Sequence, residues 1–379
     1  MLASIPCQIY RGGTSKGVFF NRSFLPQQCS EWDSIFLAVM GIPDLRQIDG
    51  LGGSYSTTSK IAVIEKSQSC DYDVEYTFAQ VSVDKPLVSY AGNCGNISSA
   101  VGPYAIDNGL VKVTGSETVV RIHNINTDKI IYAYIPTSDG KVNYDGDCKI
   151  AGVPGTGAEI RMEFKNPSGS MTGKLLPTGK TVDVISVDGV GDLEMSLVDS
   201  ANPLVFIRAS DIGLNGTELP NEINQPELLE KLEKIRGAAA VVYGFVEKSE
   251  DSWKSPGVPK LTIISPPQSY YTDEGQLIES QKLSLISRMM SMRKAHNSYA
   301  FTGGLCTASA AAIPGTLVYQ MISENKEDDN IRIAIGHPGG IMEAGAAFIP
   351  DNKNGVEIEL AYGLSTARRI MEGKVYYRI

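Results

Sequence analysis

The sequence predicts an α+β protein made of two similar domains. Its 379 residues are more than one compact core usually holds, so we expect at least two domains. Short runs rich in β-branched residues recur along the chain, whereas helical patterns are few. Two landmarks occur in the same order in both halves: a turn followed by an apolar strand, and a cysteine followed by small residues.

The strand candidates are short segments, several of which alternate apolar and polar residues. They are residues 17–20, 60–66, 73–83, 118–126, 130–136, 181–187, 194–199, 204–209, 261–266, 331–338 and 356–360. An alternation with period two is typical of strands with one buried face, which are common in antiparallel sheets. We therefore expect mostly antiparallel sheets.

Five segments have a pattern that favours helices. They are residues 30–40, 95–109, 224–243, 278–293 and 305–321. The second and the fifth consist almost entirely of small or apolar residues, and a helix without a polar face has to be buried on every side. We expect each of these two to be the central helix of its domain.

The two central segments also begin alike. In 94-CGNISSAVGPYAI-106 and 306-CTASAAAIPGTLV-318 a cysteine precedes a run of small residues and then a Gly/Pro pair. The predicted repeat therefore places each cysteine at the start of a central helix. We expect domains of residues 1–185 and 186–379, with a C-terminal segment that can cross back to the first domain.

A second pair of landmarks lies upstream of the cysteines. The turn 12-GGTSK-16 precedes strand 17–20, and the turn 199-DSANP-203 precedes strand 204–207. Chance similarity between Ala/Ser/Gly-rich segments could explain one such pair, but two pairs in the same order favour a true repeat.

Composition limits the classes of function. Charged residues make up 20% of the chain, the formal net charge is −9, and neither sign forms a long run. Nucleic-acid binding needs clustered Lys and Arg, so we do not expect it. A small anionic ligand remains compatible with a negative chain, because backbone N–H groups and a few local cations can hold it.

The sequence also allows predictions about cellular location and metal binding. No run of eighteen apolar residues occurs and the first residues lack a signal-peptide pattern, so we expect a cytoplasmic protein that does not span a membrane. The cysteines show no CxxC spacing, and no histidine lies near a cysteine in sequence. We therefore expect reduced thiols and no zinc site. The cysteines are Cys7, Cys29, Cys70, Cys94, Cys148 and Cys306.

Several segments together resemble one known family. They are 5-IPCQIYRGGTSKGVFF-20, 46-RQIDGLGGSYSTTSKIAVI-64, 77-TFAQVSV-83, 92-GNCGNISSAVGPYAI-106, 121-RIHNINT-127, 151-AGVPGTGAEI-160, 302-TGGLCTASAAAIPGT-316 and 336-GHPGG-340. The sequence resembles the 2-methylaconitate cis-trans isomerase family, most nearly its 3-methylitaconate Δ-isomerase branch, over essentially the whole chain. The resemblance implies a diaminopimelate-epimerase-like fold, in which each of two pseudo-symmetric domains wraps a curved sheet around its central helix.

Cys94 is the first candidate for catalysis. At a helix N-terminus, unpaired N–H groups and the helix dipole favour an anion, so a thiol there has a lowered pKa and can act as acid or base. Gly95 lets the backbone approach a ligand, and Asn93 and Asn96 offer amide donors to a carboxylate. The alternative is an inert cysteine that caps a core helix. The flanking Gly-Asn steps and the resemblance favour catalysis.

Lys60 is the second candidate. A lysine in a closed pocket loses solvation, which lowers the pKa of its amine and lets it act as a general base. The commoner alternative is a solvated lysine at the end of a strand. The matching lysine of the resembling family is thought to be catalytic, so the resemblance implies that role for Lys60.

Further polar residues and glycines in turns are candidates for binding the substrate. They are Arg11, Thr14, Ser15, Lys16, Ser54, Gly303, Gly304 and His337. Gly303 and Gly304 are expected to form an anion-binding turn before the second cysteine helix. Cys306 is a candidate second acid or base, although apolar surroundings would raise the pKa of its thiol.

The resemblance implies an isomerase that needs neither cofactor nor metal and moves a proton along the allylic system of a small unsaturated di- or tricarboxylate. Conversion of (R)-3-methylitaconate to 2,3-dimethylmaleate fits best, and 2-methylaconitate and 4-oxalomesaconate are alternative substrates. An amino-acid racemase or epimerase, and a carboxylate-binding protein without activity, are further alternatives. The sequence leaves open whether Lys60 or Cys94 takes the first proton, and whether the chain forms a homo-oligomer.

Overall fold

The structure, a computed structural model, describes residues 2–322, 326–327, 329–351 and 355–378. The chain folds into two compact units. Unit 1 is Met1–Glu163 with Leu364–Ile379, and unit 2 is Phe164–Gly363. The first part of unit 1 therefore ends ahead of residue 185, where the sequence predicts the boundary, and the C-terminal segment belongs to unit 1.

Strands make up most of the regular structure. They are β1 Leu2–Gly12, β2 Ser15–Asn21, β3 Lys60–Lys66, β4 Val74–Val81, β5 Val88–Ser89, β6 Glu117–Asn124, β7 Lys129–Ser138, β8 Lys141–Val142, β9 Ile160–Lys165, β10 Asp183–Val187, β11 Gly191–Ser200, β12 Asn202–Arg208, β13 Lys260–Ser265, β14 Tyr270–Tyr271, β15 Leu277–Ile278, β16 Leu285–Ser291, β17 Lys294–Ala295, β18 Lys326–Glu327, β19 Asn330–His337, β20 Gly340–Asp351, β21 Gly355–Ser365 and β22 Ala367–Arg378. Each predicted strand coincides with or overlaps one of these.

Helices are fewer, as the α+β prediction requires. They are α1 Trp32–Met40, α2 Gly95–Ser98, α3 Val101–Asp107, α4 Pro220–Ile223, α5 Pro226–Val242, α6 Phe301–Ala312 and α7 Leu317–Met321. The predicted helices at 30–40 and 224–243 are confirmed as α1 and α5.

The two units pair their strands in the same order and direction. In unit 1, β1–β2 is antiparallel, β2–β3 parallel, β3–β4 antiparallel, β4–β6 parallel and β6–β7 antiparallel. In unit 2, β11–β12, β12–β13, β13–β16, β16–β19 and β19–β20 repeat that series. The repeat predicted from the sequence is confirmed at the level of topology, and the sheets are mixed rather than purely antiparallel.

Each unit has a buried central helical segment between matching strands. All twelve residues of α6 are buried, and α6 packs against β11, β12, β19 and β20. In unit 1, α2 packs against β1 and β2, and α3 packs against β3, β6 and β7.

The predicted central helices are confirmed, but each is divided in two. In unit 1 the break at Ser99–Ala100 lies just ahead of Pro103, the third residue of α3. In unit 2, Pro314 lies between α6 and α7. A proline lacks the backbone N–H that would continue the preceding helix.

The predicted helix at 278–293 is wrong. This segment holds the end of β15, a 3₁₀ turn at Ser280–Lys282 and the strand β16. β16 pairs with β13 on one side and with β19 on the other, and all its residues but the last are buried. A strand buried on both faces is a short apolar run, whose periodicity does not distinguish it from a helix.

Candidate functional site

The hairpin between β1 and β2 is pressed against the start of α2. Gly12 pairs with Ser15, and Gly13 takes a φ of 49°, which glycine adopts at little cost. A Cβ at Gly12 would overlap the backbone oxygen of Asn96, and a Cβ at Gly13 would overlap Asn96 Oδ1. The two glycines therefore bring the turn into direct contact with Asn96.

Asn96 itself joins the helix to the turn. Its Oδ1 accepts a long hydrogen bond of 3.4 Å from the backbone N–H of Thr14, and its side chain is 5% exposed. With the oxygen so placed, the Nδ2 donors of Asn96 are the part of the amide that can serve a carboxylate.

Cys94 occupies the position directly before α2, as the sequence predicts, and is partly buried. Its carbonyl oxygen accepts hydrogen bonds from the Ser98 backbone N–H at 2.9 Å and from Ser98 Oγ at 3.1 Å. Asn93 Oδ1 also accepts from Ser98 Oγ, at 3.1 Å. These bonds fix the backbone on both sides of the thiol without using its sulfur.

Lys60 is buried rather than solvated. It is the first residue of β3, it is 8% exposed, and its Nζ donates to Gln80 Oε1 at 2.5 Å. Nζ also lies 5.3 Å from the centre of the Phe78 ring. Lys60 therefore lies in desolvated surroundings. These fit a lysine in a closed pocket and not a solvated lysine at the end of a strand.

Lys60 and Cys94 belong to the same side of the β3–β4 pair. Gln80 lies opposite Lys60, and Tyr76, Phe78 and Gln80 share one face because side chains alternate along β4. Burial raises the pKa of Tyr76 well above its usual value, and the nearby Cys94 raises it further. Both candidate catalytic residues therefore lie on the face of unit 1 that carries Tyr76.

Six buried side-chain atoms of unit 1 have no hydrogen-bond partner among the described residues, and three of the six are candidates for holding a carboxylate. These three are Ser15 Oγ, Asn93 Nδ2 and Ser365 Oγ. Ser365 Oγ and Asn96 Oδ1 both lie beside Gly13, and Ser15 follows in the same turn. An unsatisfied buried polar group costs roughly 1–3 kcal/mol, so such groups usually serve a ligand or water. Each of the three is a polar group that can bind a carboxylate oxygen.

Arg11 and Lys16 are arranged differently from the other hairpin residues. Arg11 lies opposite Lys16 on β2 and Arg368 on β22, so the three cations form a row on one face. Side chains alternate along a strand, which puts this row on the face opposite Ser15. Arg11 Nη1 donates to the carbonyls of Gly13 and Thr366, both at 3.0 Å. Burial, and then Arg368, lower the pKa of Arg11.

Ser54 lies in the loop that leads into β3. Its φ is 67°, and its backbone N–H donates to Gln47 Oε1 at 2.7 Å. The same oxygen accepts from Ser59 Oγ at 2.8 Å, and Gln47 is 1% exposed. The buried glutamine therefore fixes the shape of the loop on which Ser54 stands.

Gly303 and Gly304 do not form a turn ahead of the helix, so the expected position of the two glycines is wrong. Both glycines lie inside α6, because that helix begins at Phe301. A Cβ at Gly303 would overlap Met289 Cε, and one at Gly304 would overlap Met342 Cε. The two glycines make room for methionine side chains, and the backbone N–H of Gly304 donates to the Ala300 carbonyl at 3.0 Å.

Cys306 does not lie at the start of its helix either. It is the sixth residue of α6, it is fully buried, and its Sγ donates to the Val198 carbonyl at 3.4 Å. Burial raises the pKa of its thiol, the direction that the apolar sequence around it predicts. The expected position is wrong because α6 extends five residues ahead of the cysteine.

His337 is the last residue of β19 and is 2% exposed. Its Nδ1 accepts from the Gly339 backbone N–H at 3.2 Å, so the ring carries its proton on Nε2. Burial, and then Arg288 and His296, lower the pKa of His337 to about 3. At neutral pH this side chain is therefore a neutral hydrogen-bond donor and not a cation for a carboxylate.

In the described part of the chain, no group of three or more His, Cys, Asp or Glu side chains is placed to bind a metal ion. No described helix is long and apolar enough to cross a membrane.

The family of the chain is decided by comparison with known proteins. The model of the PrpF protein family matches residues 2–378. The chain belongs to the PrpF family. The residues quoted above for the family resemblance, Lys60 and Cys94 among them, lie within the matched range.

Relatives in the PrpF family are similar over their whole length. The 3-methylitaconate isomerase of Eubacterium barkeri is 46% identical over 375 residues, which cover 98% of this chain and 97% of the relative. The 2-methyl-aconitate isomerase of Shewanella oneidensis is 38% identical over 379 residues, covering 96% and 94%.

Solved structures agree with the fold of this PrpF-family chain. The crystal structure of a methylitaconate-delta-isomerase has a TM-score of 0.79 and 44% identity, covering 99% of this chain and 96% of the other. A hydroxyproline epimerase from Agrobacterium vitis has a TM-score of 0.57 at 10% identity, covering 98% and 92%, which shows a shared fold alone. The predicted α+β, epimerase-like fold is confirmed.

Sequence reasoning missed two residues of the site. Gln80 holds Lys60, and Ser365 adds a hydroxyl beside Gly13. Gln80 could have been found from the sequence, because it is a glutamine within the apolar strand 77-TFAQVSV-83. Ser365 had no local signal, because it reaches the hairpin from the far end of the chain.

Proposed function

We propose that this PrpF-family protein is a cofactor-independent isomerase that converts (R)-3-methylitaconate to 2,3-dimethylmaleate. The observation that carries the proposal is the pair of candidate acid–base groups on one face of unit 1, with buried Lys60 bonded to Gln80 and Cys94 placed before α2. The names of the full-length relatives support the isomerase class.

The reaction is a proton shift along three carbons. A proton leaves the saturated carbon that bears the methyl group, the double bond moves by one position, and a proton is added to the terminal methylene carbon. The intermediate carries a negative charge that spreads onto a carboxylate. Lys60 is suited to carry the proton, and Cys94 is suited to act as the partner acid, base or anion-holding group.

Hydrogen-bond donors are the main means of stabilising that charge. One well-aimed donor contributes about 3 kcal/mol in sites of this kind, whereas a helix dipole contributes roughly 0.3–1 kcal/mol. The donors available near the β1–β2 hairpin and the start of α2 are Asn96 Nδ2 and the unsatisfied Asn93 Nδ2, Ser15 Oγ and Ser365 Oγ. We assign these four side chains to the substrate carboxylates.

Two tricarboxylates are the next candidates. The 2-methyl-aconitate isomerase of Shewanella oneidensis supports 2-methylaconitate, and 4-oxalomesaconate follows from the sequence resemblance. A racemase would need two activated thiols, and the burial that raises the pKa of Cys306 argues against it. A binding protein without activity would leave the acids unchanged.

The test is an assay of the purified protein with each of the three acids. Isomerisation changes conjugation and therefore ultraviolet absorbance, and in D₂O it introduces deuterium that NMR detects. We expect the highest kcat/KM with (R)-3-methylitaconate, and a loss of roughly 10²–10⁴-fold in kcat for Lys60→Ala and for Cys94→Ser. Heat of binding in calorimetry without any absorbance change would instead identify a binding protein.

A further inference from the structure

The residue that contacts the Lys60 ammonium is an amide. Lys60 Nζ donates to Gln80 Oε1 at 2.5 Å, and the two side chains are 8% and 7% exposed. Among the described residues Gln80 is the only hydrogen-bond partner of that nitrogen, so no carboxylate neutralises it there. A buried ammonium without an opposite charge is unusual, since charged groups are normally buried with a partner.

The orientation of the Gln80 amide is fixed by its other end. Nε2 lies 3.2 Å from the Ser56 carbonyl, 3.0 Å from the Ser59 carbonyl and 3.2 Å from the Val81 carbonyl. Carbonyl oxygens only accept hydrogen bonds, so the amide nitrogen has to face them. The amide oxygen is therefore the atom that faces Lys60, whichever way the amide is first assigned.

We propose that Gln80 is a positioning residue for Lys60, whose amide oxygen holds one N–H of the amine in both of its protonation states. This inference rests on the proposed function, in which Lys60 carries the proton. Nothing in the sequence resemblance or in the names of the relatives assigns such a role to Gln80.

The chemistry of the acceptor explains why an amide suits this position. A carboxylate would stabilise the ammonium strongly and keep the proton on Lys60. An amide oxygen accepts an N–H from the ammonium and from the neutral amine alike. With one N–H held by Gln80, the tetrahedral nitrogen turns its lone pair away from Gln80, where it can take a proton from the substrate.

The connection to the Ser56–Thr58 turn extends the effect beyond one bond. Gln80 holds the Ser56 and Ser59 carbonyls, and these residues lead directly into Lys60 at the start of β3. The same amide therefore fixes both the backbone ahead of Lys60 and the end of its side chain. A misplacement of about 1 Å in such a group can cost roughly 100-fold in rate.

Two substitutions separate the roles of charge and of the hydrogen bond. Gln80→Glu places a carboxylate against the ammonium, so the pH at which activity reaches half its plateau should rise by about one to three units. Gln80→Met keeps the length of the side chain but removes the acceptor. Its half-plateau pH should fall, and kcat should fall by roughly 10- to 100-fold with KM changed by less than about threefold.

A second readout does not need turnover. Cyanate carbamylates only neutral amines, so the pH dependence of Lys60 carbamylation, measured by peptide mass spectrometry, reports its protonation directly. We expect its midpoint to shift up in Gln80→Glu and down in Gln80→Met. If the wild-type protein isomerises none of the three acids, the proposed function fails while these midpoints still decide the role of Gln80.

The matched control is Asn124, a fully buried amide that accepts from the Thr127 backbone N–H at 3.1 Å and Thr127 Oγ1 at 2.7 Å. Asn124→Ala should lower the melting temperature and leave the carbamylation midpoint of Lys60 unchanged. Midpoints that stay at the wild-type value in both Gln80 variants, or that move equally in Asn124→Ala, would overturn the proposal.

Discussion

Cys94 lies directly before the first residue of α2, whereas Cys306 is the sixth residue of α6 and is surrounded by helix on both sides. The two thiols therefore differ in what they can do. Cys94 is partly exposed and its sulfur is not used to hold the fold, while the Cys306 thiol donates to the Val198 carbonyl in a fully buried position.

The two cysteines should respond in opposite ways to replacement by serine. Cys94→Ser should lower kcat by roughly 10²–10⁴-fold and leave the melting temperature almost unchanged. Cys306→Ser keeps a donor for Val198 but places a more polar group in an apolar site, so it should lower stability by about 1 kcal/mol and keep kcat within about threefold. Initial rates and thermal melts of both variants decide this.

Equal loss of activity in both cysteine variants would contradict the assignment. It would indicate two cooperating thiols and favour the racemase alternative.

Replacement of Gly13 tests the contact between the hairpin and Asn96. In Gly13→Ala the new Cβ would overlap Asn96 Oδ1 and the backbone would keep a φ of 49°, so we expect kcat/KM to fall by about tenfold or more and stability to fall by more than about 1 kcal/mol. Gly140→Ala is the control, because Gly140 has a φ of 74° with no atom within 4 Å of its Cβ position.

The Gly140→Ala control separates the effect of backbone strain from the effect of the contact with Asn96. Gly140→Ala should lower stability by about 1 kcal/mol and leave kcat/KM unchanged. If the two variants lose activity to the same extent, the contact with Asn96 has no part in the reaction.

Much of the fold was predictable because its signals are local. Alternation marks strands such as β6, and a run of small residues marks α6 as buried on every side. The strand β16 was misassigned as a helix because its partners β13 and β19 supply its hydrogen bonds from other parts of the chain. Pairing of that kind leaves no periodic trace in the segment itself.

The candidate site was predictable only in part, for the same reason. The position of Cys94 before a helix follows from the residues next to it. The partner of Lys60 is twenty residues away in sequence, and Ser365 reaches Gly13 from the C-terminal segment. Gly303 was expected in a turn but lies inside α6. A helix can include a Gly pair when both glycines pack against bulky side chains, here Met289 and Met342.

The buried His337 should make the protein sensitive to acid. Its pKa is about 3 in the folded state against an ordinary value of 6.5, so below about pH 6.5 the unfolded chain binds a proton that the folded chain does not. The contribution of His337 to the free energy of unfolding is fully present above that pH. It decreases by up to about 1.4 kcal/mol per pH unit as the pH falls towards 3.

The measurement is chemical denaturation of wild type and His337→Gln at several pH values between 4 and 8. The variant should be less stable at neutral pH because it disturbs a packed position, but its stability should decline less steeply below about pH 6.5. Parallel declines in the two proteins would show that His337 titrates normally in the folded state.

Ser365 offers a test in which binding and stability move in opposite directions. Its buried hydroxyl has no partner among the described residues, so Ser365→Ala removes an unsatisfied group and should leave stability unchanged or raise it by up to about 1 kcal/mol. If that hydroxyl holds a substrate carboxylate, KM should rise by about tenfold.

Ser99 is the matched control for Ser365, since its buried hydroxyl donates to the Asn96 carbonyl at 2.7 Å. Ser99→Ala removes a satisfied hydrogen bond and should lower stability by about 1 kcal/mol. Denaturation curves and substrate saturation curves are recorded for both variants. A loss of stability in Ser365→Ala with an unchanged KM would mean that its hydroxyl supports the fold and does not hold the substrate.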